Sequence, residues 1–583
     1  DPDTEEGRAW IPTQWGASAL DAVDTAREHL PASTRSALAE LEAQGIEWRG
    51  WIGPTLEFLA PPERIADLAR LAGAVAVSAP IGPVLEDSPS SGGCDGTPTL
   101  SQGLGDMLVP DFQTLGYRGQ GVRVGILDLG FAGVSERIGT ELPRQVTTRA
   151  FASGDPSHTH GTACGEIVHD VAPDAEIYFA GLGTAVDLQQ ALAWMKNNRV
   201  EVLSHSLAWF LGGGDGTGPI DELAEAAAQD GMIWVTSSGN FARTHWMGAF
   251  RDADGDSLLE LSESREQVIL GTGAPSLVLL WDRWPLSTDL AFELEIRDGN
   301  DLIARTDEDF DGYPYAYRDL TSSRVLTDPN FRIRLKSGDP TGVTLRVFRL
   351  DRGIIDPEDR VAAGSVTMPA DSPFTISVGA FSWADQSLEP FSSYGPTLTG
   401  LAKPELVGPD GVCTTVRAYA SFTGTSAACP HVAGAVALLL SAKIQGGLHD
   451  VHWNDREIRR LLGASAGPLG GTSEPDAVGW GRVRLWQPGF APRTAPRLAP
   501  EGMGRNLVLR FEPGTSGAFA MLGEGPGPVT IVDSGGRRVG RVLPVRQDGV
   551  VLYPLGGAGL VRGRYWAVDS VTGARGTFAW TRP

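Results

Sequence analysis

Between residues 100 and 485, short apolar runs alternate with segments whose apolar positions recur every three or four residues. The runs predict buried strands at 121–128, 176–180, 201–206 and 232–237. The periodic segments predict amphipathic helices at 160–169, 187–196 and 221–229. Strands that are apolar on both faces and separated by helices imply a parallel sheet covered on both sides. In such sheets ligands gather at the carboxyl ends of the strands. A uniformly apolar run at 432–440 follows Gly424-Thr-Ser426 and predicts a buried helix. It is well short of the roughly 20 residues of a membrane span.

The alternation breaks between 246 and 365. Strands are predicted there at 268–271, 276–281, 290–296, 331–336 and 343–349, with no long helix, which reads as a β-sandwich inserted into the α/β domain. The parallel-sheet pattern returns at 374–379. Residues 1–80 follow another order: a helix at 33–43, strands at 46–51 and 55–59, a helix from Pro61-Pro62 to 71 and a strand at 74–77. This suits a small α+β domain. Residues 81–99 are rich in Pro, Ser and Gly and read as a linker. The α/β domain is expected over 100–487, interrupted by 246–365. From 488 to 583 the chain is β-rich, with turn residues at 533–536 and 556–559, and it loosely resembles the Ig-like domains appended to secreted bacterial enzymes.

The 583 residues carry 48 basic and 72 acidic side chains, a net charge of −24. That balance opposes a nucleic-acid partner, which wants a basic face, and an anionic membrane surface; it suits solubility. The chain opens on Asp1 rather than methionine, so we expect that something upstream has been removed, a signal peptide being one candidate. The spacing of Cys94, Cys164, Cys413 and Cys429 matches no zinc pattern. Cys164 and Cys429 fall inside apolar helical motifs and read as small core residues. Cys94 and Cys413 fall in loops and are free to pair in an exported protein, although four cysteines allow three pairings.

Four polar residues stand where chemistry would need them. Asp128 ends the strand Val122-Arg-Val-Gly-Ile-Leu-Asp128, where a carboxylate can be held and partly desolvated. His160 opens the helix His160-Gly-Thr-Ala-Cys-Gly165, on the first turn facing the strand tips. Its neighbour His158 lacks the Gly-Thr that follows, and His431 reads as a structural helix residue. Asn240 closes Trp234-Val-Thr-Ser-Ser-Gly-Asn240, with an amide able to donate to a developing oxyanion. Ser426 lies in Gly424-Thr-Ser-Ala-Ala-Cys-Pro-His431 at the mouth of the buried helix, where outward N–H groups carry partial positive charge. Pro430 is expected near that helix's first turn, where a missing N–H costs little.

The Ser426 string resembles the nucleophile motif of the subtilases, the subtilisin-like serine proteases, and the order Asp, His, Ser is that of subtilisin. Asp128 and His160 lie 32 residues apart, close to the family's habit, while Asn240 and Ser426 lie 186 apart, the excess being the β insertion. Ala172-Pro173, Phe391-Ser-Ser-Tyr-Gly-Pro396, Lys403-Pro-Glu-Leu-Val-Gly-Pro409 and Gly479-Trp-Gly-Arg-Val483 extend the likeness over about 100–485. Three positions depart from it: Leu129-Gly130 after the aspartate, Cys164-Gly165-Glu166 in the histidine motif, and Ala427 after the serine.

The resemblance implies an endopeptidase that works through an acyl-enzyme. Ser426 is the nucleophile, His160 the base, Asp128 its orienting carboxylate, and Asn240 an oxyanion donor. It also implies that Ser204, Ser206, Leu207 and Ala208, with Ser238 and Gly239, bind substrate, Ala208 replacing the usual glycine. Residues 1–80 become a pro-domain and intramolecular inhibitor, with a cut expected within 81–100. The protein is expected to be secreted and bacterial. No cofactor is needed for the chemistry. Structural Ca2+ is considered at Asp252, Asp254 and Asp256 and at Asp307, Asp309 and Asp311, whose alternating carboxylates suit a hard cation. Two alternatives stand beside this reading: an inert subtilase-fold binding scaffold, and a peptide-processing enzyme that ligates or macrocyclises its product.

Overall fold

The computed structural model describes residues 32–485, except 53–54, 69–81, 86–93, 98, 152–153, 263–264, 284–289, 307–313, 323, 352, 446–454 and 471–473, together with eight strands between 509 and 580. At its centre is a seven-stranded sheet. Its strands are β1 (Arg123–Asp128), β2 (Val146–Ala150), β3 (Glu176–Gly181), β4 (Val202–His205), β5 (Ile233–Ser237), β6 (Thr375–Ser382) and β7 (Leu406–Asp410). They lie in the order β7-β6-β5-β4-β1-β3-β2, and every pairing is parallel. Strand order reverses at β1 and β4, so a crevice is expected where these two strands end. Asp128 terminates β1, and residues 206–208 continue from β4.

Four helices cover the sheet: α1 (His160–Val171), α2 (Ala185–Asn197), α3 (Pro219–Gln229) and α4 (Thr425–Gln445). Apolar residues of α1 and α4 pack with Val124, Ile126, Val235 and Ile376 in one buried cluster. Those of α2 and α3 pack with Leu127, Leu203 and Trp234 in a second. Each helix starts where its local sequence dictates. Thr184 caps α2 by accepting from the Asp187 N–H at 3.1 Å, and α3 begins with Pro219 just after Gly218. Among the described residues only α4 has the length and apolarity of a membrane span, and 94% of that window is buried inside the protein. A helix that is apolar on every side is a core helix when protein surrounds it.

Between β5 and β6 the chain builds two four-stranded antiparallel sheets. One contains Tyr315–Asp319, Ser276–Trp281, Thr344–Arg349 and His245–Ala249; the other contains Asp301–Arg305, Ala291–Asp298, Pro329–Ser337 and Val268–Ile269. Trp246, Leu279, Phe292, Phe331 and Val347 from both sheets share one apolar cluster. Strand Asp301–Arg305, like β2, is largely exposed, and the sequence pattern announces neither of them nor Tyr315–Asp319.

Near the N-terminus, the helix Ala32–Glu42 packs on an antiparallel pair, Glu47–Ile52 with Thr55–Leu59. The strand expected at 74–77 lies outside the described residues, as do Asp307, Asp309 and Asp311. Between 509 and 580, eight strands form two four-stranded antiparallel sheets. Cys94 and Cys413 form a disulfide, while Cys164 and Cys429 are free and buried, as expected of core residues.

Candidate active site

Asp128 is fully buried at the end of β1. One carboxylate oxygen accepts the Leu129 N–H at 2.8 Å, and the other lies 2.7 Å from His160 Nδ1. The two side chains meet because α1 begins against the tip of β1. A Cβ on Gly161 would lie 2.3 Å from the Phe131 ring and 2.7 Å from Asp128 Cβ, so only glycine permits this approach. Thr162 then ties the turn down by donating to the Ala132 carbonyl at 2.8 Å. Tyr419 and Phe422 stand edge-on to the imidazole, each with ring centroids 5.2 Å away. Nε2 of His160 is buried and has no hydrogen-bond partner among the described residues. Burial disfavours the imidazolium, yet the Asp128 carboxylate outweighs it and holds the imidazole well above its usual value. The Cys164 thiol is itself pushed up by burial and stays neutral, so we ascribe the rise on His160 to Asp128.

Ser426 is the second residue of α4. Gly424, at φ +123°, makes the turn into the helix and donates its N–H to Asp410. Pro430 does not lie near the first turn as expected: it is the sixth residue of the helix, inside it. Lacking an N–H, it cannot bond the carbonyl four residues back, which is that of Ser426. That carbonyl accepts instead from Ser206 Oγ at 3.0 Å, while Ser426 Oγ donates to the Ser206 carbonyl at 3.2 Å. The proline thus frees one carbonyl, and the freed carbonyl locks the serine turn to the strand end. Cys164 Sγ lies 4.0 Å from His160 Nδ1 and 3.8 Å from the Ser426 carbonyl, so imidazole and serine flank a single sulfur.

Asn240 joins the same turn. Its carbonyl oxygen accepts from the Thr425 N–H at 2.9 Å and the Thr425 hydroxyl at 3.0 Å. This contact fixes the amide with its oxygen toward the helix and its nitrogen on the other side. Gly239 donates its N–H to the same threonine oxygen at 3.3 Å. Ser206, Leu207 and Ala208 run past Ser426 as buried backbone. Ser204 Oγ lies 3.8 Å from Cys429 Sγ on α4, and Ser238 Oγ donates to the Ser393 carbonyl at 3.4 Å. His431 is structural, as expected. Its Nδ1 donates to the Ala427 carbonyl at 2.8 Å, Nε2 takes the Ser101 hydroxyl at 2.7 Å, and burial pushes it down to about 4.

One contact had no signal in the sequence. Val84 pairs with Ala208 as an antiparallel bridge, Val84 N–H to Ala208 O at 2.8 Å and Ala208 N–H to Val84 O at 3.1 Å. A segment preceding the α/β domain is therefore held by one antiparallel bridge to the backbone that runs on from Ser206.

Asp252, Asp254 and Glu260 bring carboxylate oxygens within 4.8 Å of one another, as do Asp254, Asp256 and Glu266. The turn's own backbone already engages them: Asp252 accepts from Gly255 at 2.7 Å and Ser257 at 3.0 Å, Asp254 from Asp256 at 3.2 Å, and Asp256 from Leu258 at 2.8 Å.

Residues 119–263 and 353–481 match the model of the subtilase family, leaving out most of the inserted β region. Subtilisin of Bacillus pumilus is 33% identical over 151 residues, which cover 24% of this chain and 50% of that protein. Minor extracellular protease Vpr of Bacillus subtilis is 23% identical over 391 residues, 57% of this chain and 47% of Vpr. The chain thus spans about half the length of these curated relatives. Among solved structures, the CspB protease of Clostridium perfringens aligns with a TM-score of 0.48 and 17% identity, over 65% of this chain and 96% of that one. On the matched segments and the related subtilisins, the chain belongs to the subtilase family.

Proposed function

We propose that the protein is a secreted, subtilisin-like serine endopeptidase. The reading is carried by His160: one ring nitrogen is held by buried Asp128, and the other is buried and unengaged beside the Ser426 turn. In the reaction, rotation of the Ser426 hydroxyl away from the Ser206 carbonyl brings its proton to His160 Nε2 as Oγ attacks a peptide carbonyl. Asp128 keeps the Nδ1 tautomer and stabilises the imidazolium. The tetrahedral oxyanion is received by the Ser426 N–H and the Asn240 amide, the imidazolium returns its proton to the leaving amine, and water releases the acyl group. A fluorophosphonate probe tests this directly. It should label Ser426 in the wild type, and an unlabelled wild type would leave an inert scaffold as the better reading.

Asn240→Ala should lower kcat by about 10²–10³ with little change in KM, the usual loss for one oxyanion donor. Steady-state kinetics on a peptide substrate check it, and an effect confined to KM would place Asn240 outside the oxyanion site. The pH profile follows from His160. Its folded value is raised, so the protonated, inactive imidazole persists to higher pH than usual, and neutral base accumulates only as pH climbs through the raised value. We expect kcat/KM to rise with pH, with an apparent midpoint above about 6.5. A midpoint at or below that would contradict the Asp128 contact.

The same reading makes residues 1–80 a pro-domain that inhibits its own enzyme, 81–99 the linker that is cut, 100–487 the catalytic domain with an inserted β-sandwich at 246–365, and 488–583 an Ig-like C-terminal domain. Three contacts support the inhibitory role of the N-terminal unit, besides the Val84 bridge. Arg49 reaches Asp187 at 3.3 Å, Gln190 donates to the Arg49 carbonyl at 2.8 Å, and Thr184 donates to Glu57 at 3.2 Å. The N-terminal sheet thus sits on the start of α2 while Val84 bridges Ala208.

A further inference from the structure

Glu166 is one of the departures from the subtilase pattern, and it places a carboxylate inside α1, a helix buried along most of its length. It is 3% exposed, so its charge must be met by protein. Arg137 donates from Nε to one carboxylate oxygen at 2.6 Å. The other oxygen accepts the Thr415 N–H at 2.7 Å, and the Thr415 hydroxyl also donates to Glu166. The remaining nitrogens of Arg137 donate to the Thr415 carbonyl at 2.9 Å and to the Gly133 carbonyl at 2.7 Å. The pair therefore holds the N–H, the hydroxyl and the carbonyl of a single residue, 249 positions along the chain from Glu166.

Thr415 lies in the turn of a short hairpin. Val412–Cys413 pairs antiparallel with Ser421–Phe422. Within the turn, the Thr414 hydroxyl donates to the Tyr419 carbonyl at 2.7 Å and the Tyr419 N–H to the Val416 carbonyl at 2.8 Å. The base of the hairpin is fixed separately, by the Cys94–Cys413 disulfide and by Gln102, whose amide oxygen takes the Cys413 N–H at 2.7 Å. The turn borders an open cavity of about 570 Å3 lined by Gly133, Thr159, Val416 and Ala418, which leaves room for an unanchored turn to shift. This hairpin carries the two rings that meet the base: Tyr419 and Phe422 stand edge-on to His160, with their own centroids 5.1 Å apart. Their contact matters because Asp128 bonds only Nδ1. A histidine ring turns within a broad torsional well about its last bond. One hydrogen bond leaves its plane undetermined, and packing sets it.

We propose, resting on the protease reading above, that Glu166 and Arg137 are positioning residues for the base: by fixing Thr415 they set the hairpin, and the hairpin's rings set the plane in which His160 Nε2 meets the serine hydroxyl. Stability alone is a weak reason for such a pair, since apolar side chains of similar volume in place of a buried ion pair are often neutral or better. Apolar groups, however, cannot hold a backbone N–H and a carbonyl of another segment in place. A base displaced by about 1 Å costs about 10² in rate.

Arg137→Met combined with Glu166→Leu removes both charges and nearly keeps the volume. Its Tm should stay close to that of wild type, while kcat on a peptide substrate falls by about 10- to 100-fold with KM nearly unchanged. Tyr419→Ala should show the same split, and adding it to the double variant should cost little more, because both act through one hairpin. An undiminished kcat in the double variant, or losses that multiply when Tyr419→Ala is added, would leave the pair a purely structural one and overturn the proposal. If the double variant does not fold, Glu166→Gln, which keeps an acceptor for the Thr415 N–H but loses the ion pair, is measured in the same way, alone and with Tyr419→Ala. A kcat loss of about tenfold is then expected, and no loss overturns the proposal. A wild type that neither cleaves peptides nor takes the fluorophosphonate label overturns the protease reading itself; an active wild type beside an equally active variant overturns the positioning role alone.

Discussion

Ser426→Ala should reduce peptide hydrolysis by about 10⁶-fold, the scale of loss when the nucleophile of such a relay is removed. Folding should barely change. The substitution deletes one hydrogen bond, to the Ser206 carbonyl, worth about 1 kcal/mol. The reciprocal bond from Ser206 Oγ to the Ser426 carbonyl survives, because Pro430 still leaves that carbonyl free. The same variant tests self-processing. Val84 bridges Ala208, and Cys94 is bonded to Cys413. We expect wild type to be cut between Leu85 and Cys94, leaving a new N-terminus still held by the disulfide, and Ser426→Ala to remain whole. N-terminal sequencing decides it; an identical uncut chain from both would end the self-processing proposal.

Asp128→Asn should cost about 10⁴-fold in kcat with KM nearly unchanged. The direction follows from the second oxygen of Asp128, which accepts the Leu129 N–H at 2.8 Å. An asparagine would keep its carbonyl at that donor and turn its NH₂ toward His160. Nδ1 would then have to accept, the proton would move to Nε2, and the base could not take the serine proton. Without the carboxylate the rising limb of the pH profile should also shift to lower pH. A loss below about tenfold would mean that Asp128 does not orient the base.

The likeness of the motifs was legible because each combines a chemical residue with the small residues its approach requires. Gly161 beside His160 reflects the absence of room against Phe131 and Asp128 Cβ. The parallel strands were legible because burial on both faces leaves unbroken apolar runs, as in β4 and β5. Strand β2 was not, since an exposed edge strand such as Val-Thr-Thr-Arg-Ala lacks that signature. The position of Pro430 inside α4 is not legible, because sequence alone does not reveal that a helix tolerates a proline whose missing bond is replaced by Ser206.

By itself, then, the chain's order of residues determined the alternation of strands and helices, the likeness to the subtilases, and which side chains carry reactive groups, for these depend on local period and neighbouring residues. Tertiary structure alone decided what those groups face. It set Val84 against Ala208, joined Cys94 to Cys413, placed Ser204 against Cys429 and Ser238 against the Ser393 carbonyl, and buried Asp221 and Asp371. Such contacts join residues far apart in the chain. Their energies depend on burial and mutual geometry, which no local pattern encodes.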